Sequence, residues 1–303
     1  MSIDQSFIAI LRSGKPIPSS QESKTALQIF GLDFEESNAT LIVTSPLELL
    51  DESLILRSIQ LSLSKLYLHD DIDSTNTFLM SKIDDQDFHG AICLAEYQSE
   101  GRGRRGKKWI SPYGRNIYLS MGWRVPKEIG VDGLSLVIGM QIAKSLRELG
   151  LTDVGLKWPN DVLMDEGKLA GILIEVGASS IDGMSVVIGV GINMAMNESN
   201  GRKIDQAFSQ IGDYLSISRN ELVVGLIKNL HESLVQFSKE GFGRLMSEWD
   251  AYNLYRDKPV SVLMGENLIN GIDRGVNNQG HLLLETAAGL ESYNAGEVSL
   301  RRN

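Results

Sequence analysis

Gly171-Ile172-Leu173-Ile174-Glu175-Val176 and Ser185-Val186-Val187-Ile188-Gly189-Val190-Gly191-Ile192 are the two stretches that decide the fold. Both are too short for helices and rich in β-branched residues, so each reads as a strand. On either side the period changes. Leu134, Ile138, Ile142, Leu146 and Leu149 upstream, and Leu222, Leu226, Leu230, Leu234 and Phe237 downstream, recur at helical spacing. They mark the core faces of two long helices, the second opened by a Ser218/Glu221 capping box. Strand-like runs alternating with long helices over 66–250 predict an α+β domain built around a mostly antiparallel or mixed sheet. After Arg256-Asp257-Lys258-Pro259 the chain turns to short strands, Val260 to Met264, Asn267 to Asp273, His281 to Glu285 and Glu297 to Arg301. Gly265 and Asn277-Asn278-Gln279-Gly280 separate them, a spacing that fits a small SH3-like β-barrel over 256–303. Residues 1–60 form a short helical N-terminal region. There, helical patterns at Ser6 to Arg12 and Gln21 to Phe30 precede the strand-like Ala39 to Val43, and a third helical pattern runs from Glu48 to Lys65.

The chain has 303 residues, enough for two or three folding units, and a formal charge of -10. That charge argues against general affinity for nucleic acid or anionic membranes, so any basic cluster has to be judged locally. Cys93 is the only cysteine, which excludes an intrachain disulfide and a multi-cysteine metal site and suits a reducing cytoplasm. Set in Ala91-Ile92-Cys93-Leu94-Ala95, it reads as a buried small hydrophobe rather than a nucleophile. Met1-Ser2-Ile3-Asp4 lacks the basic start of a secretory signal, and no apolar run approaches a membrane span. A cytoplasmic protein with no membrane partner is expected.

Three clusters carry potential chemistry. Gly101-Arg102-Gly103-Arg104-Arg105-Gly106-Lys107-Lys108 packs three glycines and five cations into one loop. Glycines let a backbone approach a ligand closely, and guanidinium groups bind phosphate or carboxylate oxygens in pairs, so the loop suits a polyphosphate. An exposed basic loop or a nucleic-acid patch would have the same composition. The loop matches neither the Walker pattern nor the Rossmann turn, which implies a different kind of phosphate site. In Lys157-Trp158-Pro159-Asn160-Asp161, proline holds Trp158 extended and aims Asn160 and Asp161 from a strand end, although alone this is ordinary turn chemistry. In Lys168-Leu169-Ala170-Gly171-Ile172-Leu173-Ile174-Glu175, a lysine at the mouth of a buried strand can meet an anionic intermediate, though a lone strand-edge lysine is usually solvated. Its distance from the preceding cluster suggests a hairpin.

Taken in order with Asp73-Ser74-Thr75-Asn76, Glu96-Tyr97-Gln98 and Gly189-Val190-Gly191-Ile192-Asn193, these clusters closely resemble the bacterial biotin-protein ligases. The likeness runs from about residue 66 to the C-terminus, where Gly296-Glu297-Val298-Ser299-Leu300 also fits. It implies a class II synthetase-like biotin ligase domain with a C-terminal barrel. It also implies roles at matching positions. Ser74, Thr75, Asn76 and Gln98 would sit in the biotin pocket. Arg102, Gly103 and Arg104 would hold the biotin carboxylate beside the ATP phosphates, on a nucleotide side that includes Gly101, Arg105 and Lys107. Lys168 would contact both biotin and the acyl-phosphate oxygens, and Asn193 would line the nucleotide side. Tyr293 stands where the family places a tryptophan near the adenine. Arg104, Lys168 and Asp161 form the catalytic set, Asp161 as base or electrostatic orienter; metal ligands are not assigned.

The reaction so implied uses ATP and Mg²⁺ to convert biotin into biotinyl-5′-AMP, then passes biotin to a lysine of the biotin carboxyl carrier protein of acetyl-CoA carboxylase. The arginines and Mg²⁺ would bring two anions together, and the glycine-rich loop would close over a mixed anhydride that water destroys. The family also implies a ligand-linked homodimer. Many of its members repress biotin synthesis through an N-terminal winged helix-turn-helix, which makes DNA binding the rival function. Here only Gly31 to Asn38 separate Phe30 from the strand at Ala39, too few for a recognition helix. Residues 1–50 carry three basic side chains (Arg12, Lys15, Lys24) against six acidic ones (Asp4, Glu22, Asp33, Glu35, Glu36, Glu48), which points to a shortened winged-helix-like region that does not bind DNA. A lipoate ligase of the related fold is disfavoured because its Arg-Arg-x-Ser-Gly-Gly-Gly pattern is absent.

Overall fold

The computed structural model describes residues 4–59, 64–179, 183–265, 267–295 and 298–302. At the start of the chain, helices α1 (Gln5–Arg12) and α2 (Gln21–Ile29) bracket a short strand, β1 (Ile17–Pro18), and the hairpin β2 (Phe34–Ser37) and β3 (Thr40–Val43) follows. Asp4 and Ser20 cap the two helices by accepting from first-turn backbone N–H groups. The strands form a three-stranded sheet in the order β1-β3-β2. Between α2 and β2 the chain makes a turn and no helix.

This region is docked on the body of the protein. Ile8, Leu11, Leu27 and Leu41 share one buried cluster with Tyr113. The Phe30 ring stacks on Tyr113 with centroids 4.6 Å apart and packs against Tyr97 at 5.0 Å. Arg12 pairs with Asp70 at 3.1 Å, and Asn197 and Asn200 donate to the Gly31 carbonyl at 3.0 and 2.7 Å.

The helical pattern at Glu48 to Lys65 becomes only α3 (Glu52–Ile59), while residues 60–63 lie outside the described set. Residues 48–50 stay out of the helix because they have stronger partners elsewhere. The Glu48 carboxylate accepts from the backbone N–H of Arg219 at 2.9 Å, from Asn220 Nδ2 at 3.1 Å and from the Ser218 hydroxyl, so it sits at the start of a later long helix. An anion at a helix N-terminus is favoured, and here that outweighs local helix propensity. Leu50 in turn donates its N–H to Glu96 at 2.5 Å.

The body follows in chain order. It comprises β4 (Leu66–Ile72), α4 (Thr75–Met80), β5 (Ile92–Gln98), β6 (Ile117–Pro126), α5 (Leu134–Glu148), β7 (Gly155–Lys157), β8 (Asp161–Met164), β9 (Gly167–Ser179), β10 (Gly183–Ile192), α6 (Glu198–Gly201), α7 (Arg219–Glu240) and α8 (Met246–Trp249). Seven strands make one sheet in the order β4-β5-β6-β10-β9-β8-β7. Only β4 and β5 run parallel, so the sheet is mixed, as the sequence pattern predicts. The two deciding stretches are β9 and β10, paired with Leu173 opposite Gly189 and Gly171 opposite Gly191. α5 and α7 bury their periodic leucines and isoleucines against the face that carries Ile172 and Val190. Each fully buried side chain of this kind contributes about 1.5–3 kcal/mol. Because strand side chains alternate, Gly171, Leu173, Glu175, Gly189 and Gly191 face the other way. Cys93 lies buried in β5, where burial pushes its thiol up and away from nucleophilic use.

The C-terminal region holds five strands where four were expected: β11 (Pro259–Met264), β12 (Asn267–Val276), β13 (Leu282–Thr286), β14 (Gly289–Tyr293) and β15 (Val298–Arg302). They form an antiparallel sheet in the order β14-β13-β12-β11-β15. Gly296 and Glu297, part of the expected motif, lie outside the described residues. β14 escapes a pattern search because Leu290 is exposed and Glu291 and Ser292 break the apolar alternation. Val260, Val262, Leu282 and Leu300 join the same buried cluster as α5, α7 and the central sheet, and Trp158 Nε1 donates to the Gly280 carbonyl at 3.0 Å. No helix among the described residues is long and apolar enough to cross a membrane.

One buried ion pair ties these layers together. Arg219 donates to Glu96 at 2.8 Å, to the Glu48 carbonyl at 2.5 Å and to the Asn116 carbonyl at 2.7 Å, and its side chain and that of Glu96 are 5% and 0% exposed. Removing one partner strands a buried charge, which costs about 3–5 kcal/mol. Glu96→Ala should therefore lower the urea-unfolding free energy by an amount in that range, and Glu96→Gln should lower it less; an unchanged midpoint in Glu96→Ala would contradict the assignment.

Candidate active site

Where β9 and β10 present glycine instead of a side chain, two residues lie flat on the sheet. A Cβ on Gly191 would come within 2.6 Å of the Trp109 ring, and one on Gly189 would overlap the Asn76 amide. This close approach is possible only without side chains. Above that floor opens a cavity of about 360 Å³, within the usual range for a small-molecule site. Its walls are the N-terminus of α4, the 101–109 loop, the β7–β8 turn, β9, β10, and Leu263 and Leu300 from the C-terminal sheet.

One end is neutral and polar. Ser74 is the N-cap of α4, so its hydroxyl faces the helix's first turn. Gln98, at the end of β5, accepts from Thr75 N–H at 2.9 Å and donates to Ser111 Oγ at 3.2 Å. Ser120 on β6 donates to Asn76 Oδ1 at 2.6 Å and lies 2.7 Å from Thr75 Oγ1. Ser74, Thr75 and Asn76 are buried yet reach the cavity, as groups that read a polar ligand must.

The other end is cationic. The glycine-rich loop folds back on itself through Gly103 N–H to Lys107 carbonyl at 2.7 Å and Trp109 N–H to Gly101 carbonyl at 2.8 Å. Arg105 and Gly106 make its tip with φ of 57° and 69°. Arg102 binds Glu175 at 3.0 Å and Thr77 Oγ1 at 2.6 Å. Arg104 reaches Asn160 Oδ1 at 3.2 Å and the Ala295 carbonyl, crossing to the C-terminal region. Burial, and next the like charge of Arg105, push the Arg104 guanidinium below its ordinary value, while Asp161 opposes them. Arg105 and Lys107 stand exposed at the rim.

The β7–β8 turn and the β8–β9 hairpin deliver the third group. Asn160 Nδ2 donates to the Ile172 carbonyl at 2.8 Å, which fixes the turn. Asp161 then meets Lys168 at 2.6 Å, with side chains 19% and 17% exposed. Lys168 Nζ also lies 5.5 Å from the Trp109 ring centroid.

Most residues singled out from sequence therefore share one cavity, and three do not line it. Asn193 is buried, and its amide donates to the Lys168 carbonyl at 3.0 Å and the Ser209 carbonyl at 3.3 Å. It positions the Lys168 backbone from behind the wall. Tyr293 is buried in the C-terminal sheet opposite Leu282, with its hydroxyl donating to Glu291. Gly101 is not on the wall; a Cβ there would press on Ser111 Oγ at 2.5 Å and on the Trp109 carbonyl at 2.6 Å, so packing explains it. Sequence reading missed Thr77, Ser111, Ser120, Gln206, Leu263 and Leu300. Their types are common, and only the fold brings them here. Among the described residues no group of three or more His, Cys, Asp or Glu could hold a metal.

An enclosed polar end, an apolar floor and a cationic end with a glycine-rich loop suit a ligand with a neutral polar head that is joined to a polyphosphate. Comparison with known proteins gives this arrangement relatives. Residues 68–193 match the Biotin/lipoate A/B protein ligase family, and residues 257–301 match the Biotin protein ligase C terminal domain. The chain is 42% identical to the bifunctional ligase/repressor BirA of Escherichia coli over 232 residues, covering 76% of this chain and 72% of that protein. It is 32% identical to the biotin--[acetyl-CoA-carboxylase] ligase of Mycobacterium tuberculosis, covering 74% of this chain and 85% of that protein. Among solved structures, the biotin protein ligase of Aquifex aeolicus in complex with biotin and ATP superposes with a TM-score of 0.66 at 28% identity, covering 79% of this chain and 99% of that one.

Asn193→Ala removes the buried amide that bonds the Ser209 carbonyl and shares the Lys168 carbonyl with Ser209 N–H, a cost of about 1–3 kcal/mol. The variant should unfold at lower urea and be cleaved faster between residues 202 and 210 by a dilute protease; wild-type behaviour in both would contradict the positioning role.

Proposed function

This chain belongs to the biotin protein ligase family, and we propose how its own residues carry out the ligase reaction. It is an ATP-dependent ligase whose substrates are biotin and ATP. The observation that carries the residue assignment is that the polar end at Gln98 and the cationic end at Arg102, Arg104 and Lys168 open into one cavity. Ser74, Thr75, Asn76 and Gln98 read the ureido head of biotin, and Trp109 and Leu173 cover its apolar middle. Arg102 and Arg104, with the Gly103 backbone, receive the carboxylate at one edge and the phosphates at the other; Arg105 and Lys107 draw the nucleotide in from the rim.

Two anions have to meet, and the cations remove that repulsion and hold the carboxylate in line with the α-phosphorus. A carboxylate oxygen of biotin bonds to that phosphorus, pyrophosphate leaves, and biotinyl-5′-AMP remains. Asp161 is the wall carboxylate nearest the phosphates and would be the protein's contact to a Mg²⁺ carried in with the nucleotide, which would add charge neutralisation. The loop closes over the mixed anhydride, with Arg104 as its tie to the C-terminal region. A carrier lysine then attacks the acyl carbon and AMP departs. Lys168 stabilises the negative charge on the acyl-phosphate oxygens, and Asp161 orients Lys168 and the incoming amine. The partner is the biotin carrier of a carboxylase, and we assign it to acetyl-CoA carboxylase in the cytoplasm. We also propose a homodimer that forms once the adenylate is bound.

Operator binding is not part of this reading. The 30–33 turn stands where a recognition helix would have to be, and the first fifty residues are net acidic. In a gel shift with the biotin operator, biotin and ATP, no salt-sensitive nanomolar complex should form; one that did would restore the repressor function. ATP-pyrophosphate exchange is the direct test of the ligase. Exchange should be driven by biotin and not by lipoate or octanoate, and the reverse preference would overturn the substrate assignment.

A further inference from the structure

Glu175 is the one carboxylate on the cavity side of β9, next in the alternating row after Gly171 and Leu173, which line the wall. A carboxylate beside a site that must take anions is unfavourable by charge alone. Its contacts give the reason for it. One terminal nitrogen of Arg102 lies 3.0 and 3.1 Å from its two oxygens, and Asn76 Nδ2 donates to it at 2.8 Å. The other terminal nitrogen of Arg102 donates to Thr77 at 2.6 Å. The guanidinium plane is thus set from two sides before any ligand arrives, with N–H groups left over for an anion in the cavity.

The same carboxylate ends a continuous chain of polar contacts. Gln98 binds Thr75, Thr75 lies beside Ser120, Ser120 donates to Asn76, and Asn76 donates to Glu175. We propose that Glu175 is a positioning residue that orients Arg102 toward the carboxylate of the acid being activated and links that cation to the groups reading the opposite end of the ligand. An arginine free to rotate would lose side-chain entropy on meeting the substrate; one already held by Glu175 and Thr77 loses less. The pair is partly exposed, 36% and 28%, so water screens the repulsion between Glu175 and the arriving anion.

This inference rests on the ligase reading, because it places the biotin carboxylate at Arg102. The test compares biotin with biotin amide, whose tail is neutral, by titration calorimetry on the full-length protein. Glu175→Gln keeps an acceptor for Asn76 but loses the charge that holds Arg102. It should weaken biotin about 10-fold, a loss of about 1.4 kcal/mol, and leave biotin amide unchanged. Glu175→Asp should restore part of the loss, and in an Arg102→Lys background Glu175→Gln should have no further effect. Equal weakening of both ligands, or none for biotin, would overturn the inference alone. Wild-type protein that binds neither ligand would overturn the ligase reading and this inference with it.

Discussion

The absence of side chains at Gly189 and Gly191 is the constraint on which the rest of the site depends. Strands β9 and β10 are central in the seven-stranded sheet, and in such strands glycine weakens the structure unless something has to come close. Here Asn76 and Trp109 come close, one from the first turn of α4 and the other from the end of the basic loop. Asn76 at that depth can reach Ser120 and Glu175. Trp109 at that depth anchors the loop's return strand, so the arginines are carried on a hairpin with a fixed root. A methyl group at Gly189 would push Asn76 off the sheet and one at Gly191 would push Trp109 off it, so each change disturbs one end of the cavity.

The surrounding layers hold that arrangement from behind. Glu96, two residues before Gln98 on β5, is buried against Arg219 and receives Leu50. The connection from the N-terminal region therefore passes directly beneath the strand that carries the Gln98 amide to the cavity. Phe30 is wedged against Tyr97 at the end of that strand and against Tyr113 in the turn before β6. The N-terminal region, lacking a helix between α2 and β2, is built into the support of the site. The C-terminal sheet does the same from the other side, through Trp158 to Gly280 and Arg104 to Ala295.

The long helices and the central hairpin were legible in sequence because their periodicity is strong and uninterrupted: α5, α7, β9 and β10 all fall where the apolar spacing puts them. The third helix was overextended because Glu48 to Leu50 spend their hydrogen bonds on Arg219, Asn220 and Glu96, partners remote in sequence. β14 was missed because its outward residues carry no alternation. The motif residues converge as their order suggests, since each sits at the end of an element that points to one cavity. Asn193 and Tyr293 do not line the cavity: the Asn193 amide bonds the Lys168 and Ser209 carbonyls, and the Tyr293 hydroxyl bonds Glu291, contacts that a motif alone does not announce. Thr77 and Ser120 carry no sequence signal, because serine and threonine are common and only the register of α4 over β6 and β10 brings them into the network.

The central claim is that the loop, floor and Arg104 tie form a site that both makes an acyl-adenylate and keeps it from water until an acceptor arrives. Native mass spectrometry of the protein after incubation with biotin and MgATP, then rapid desalting without acceptor, tests this directly. The account predicts one biotinyl-5′-AMP retained per chain. Protein recovered at its unliganded mass, with free AMP and biotin accumulating in the filtrate, would contradict it.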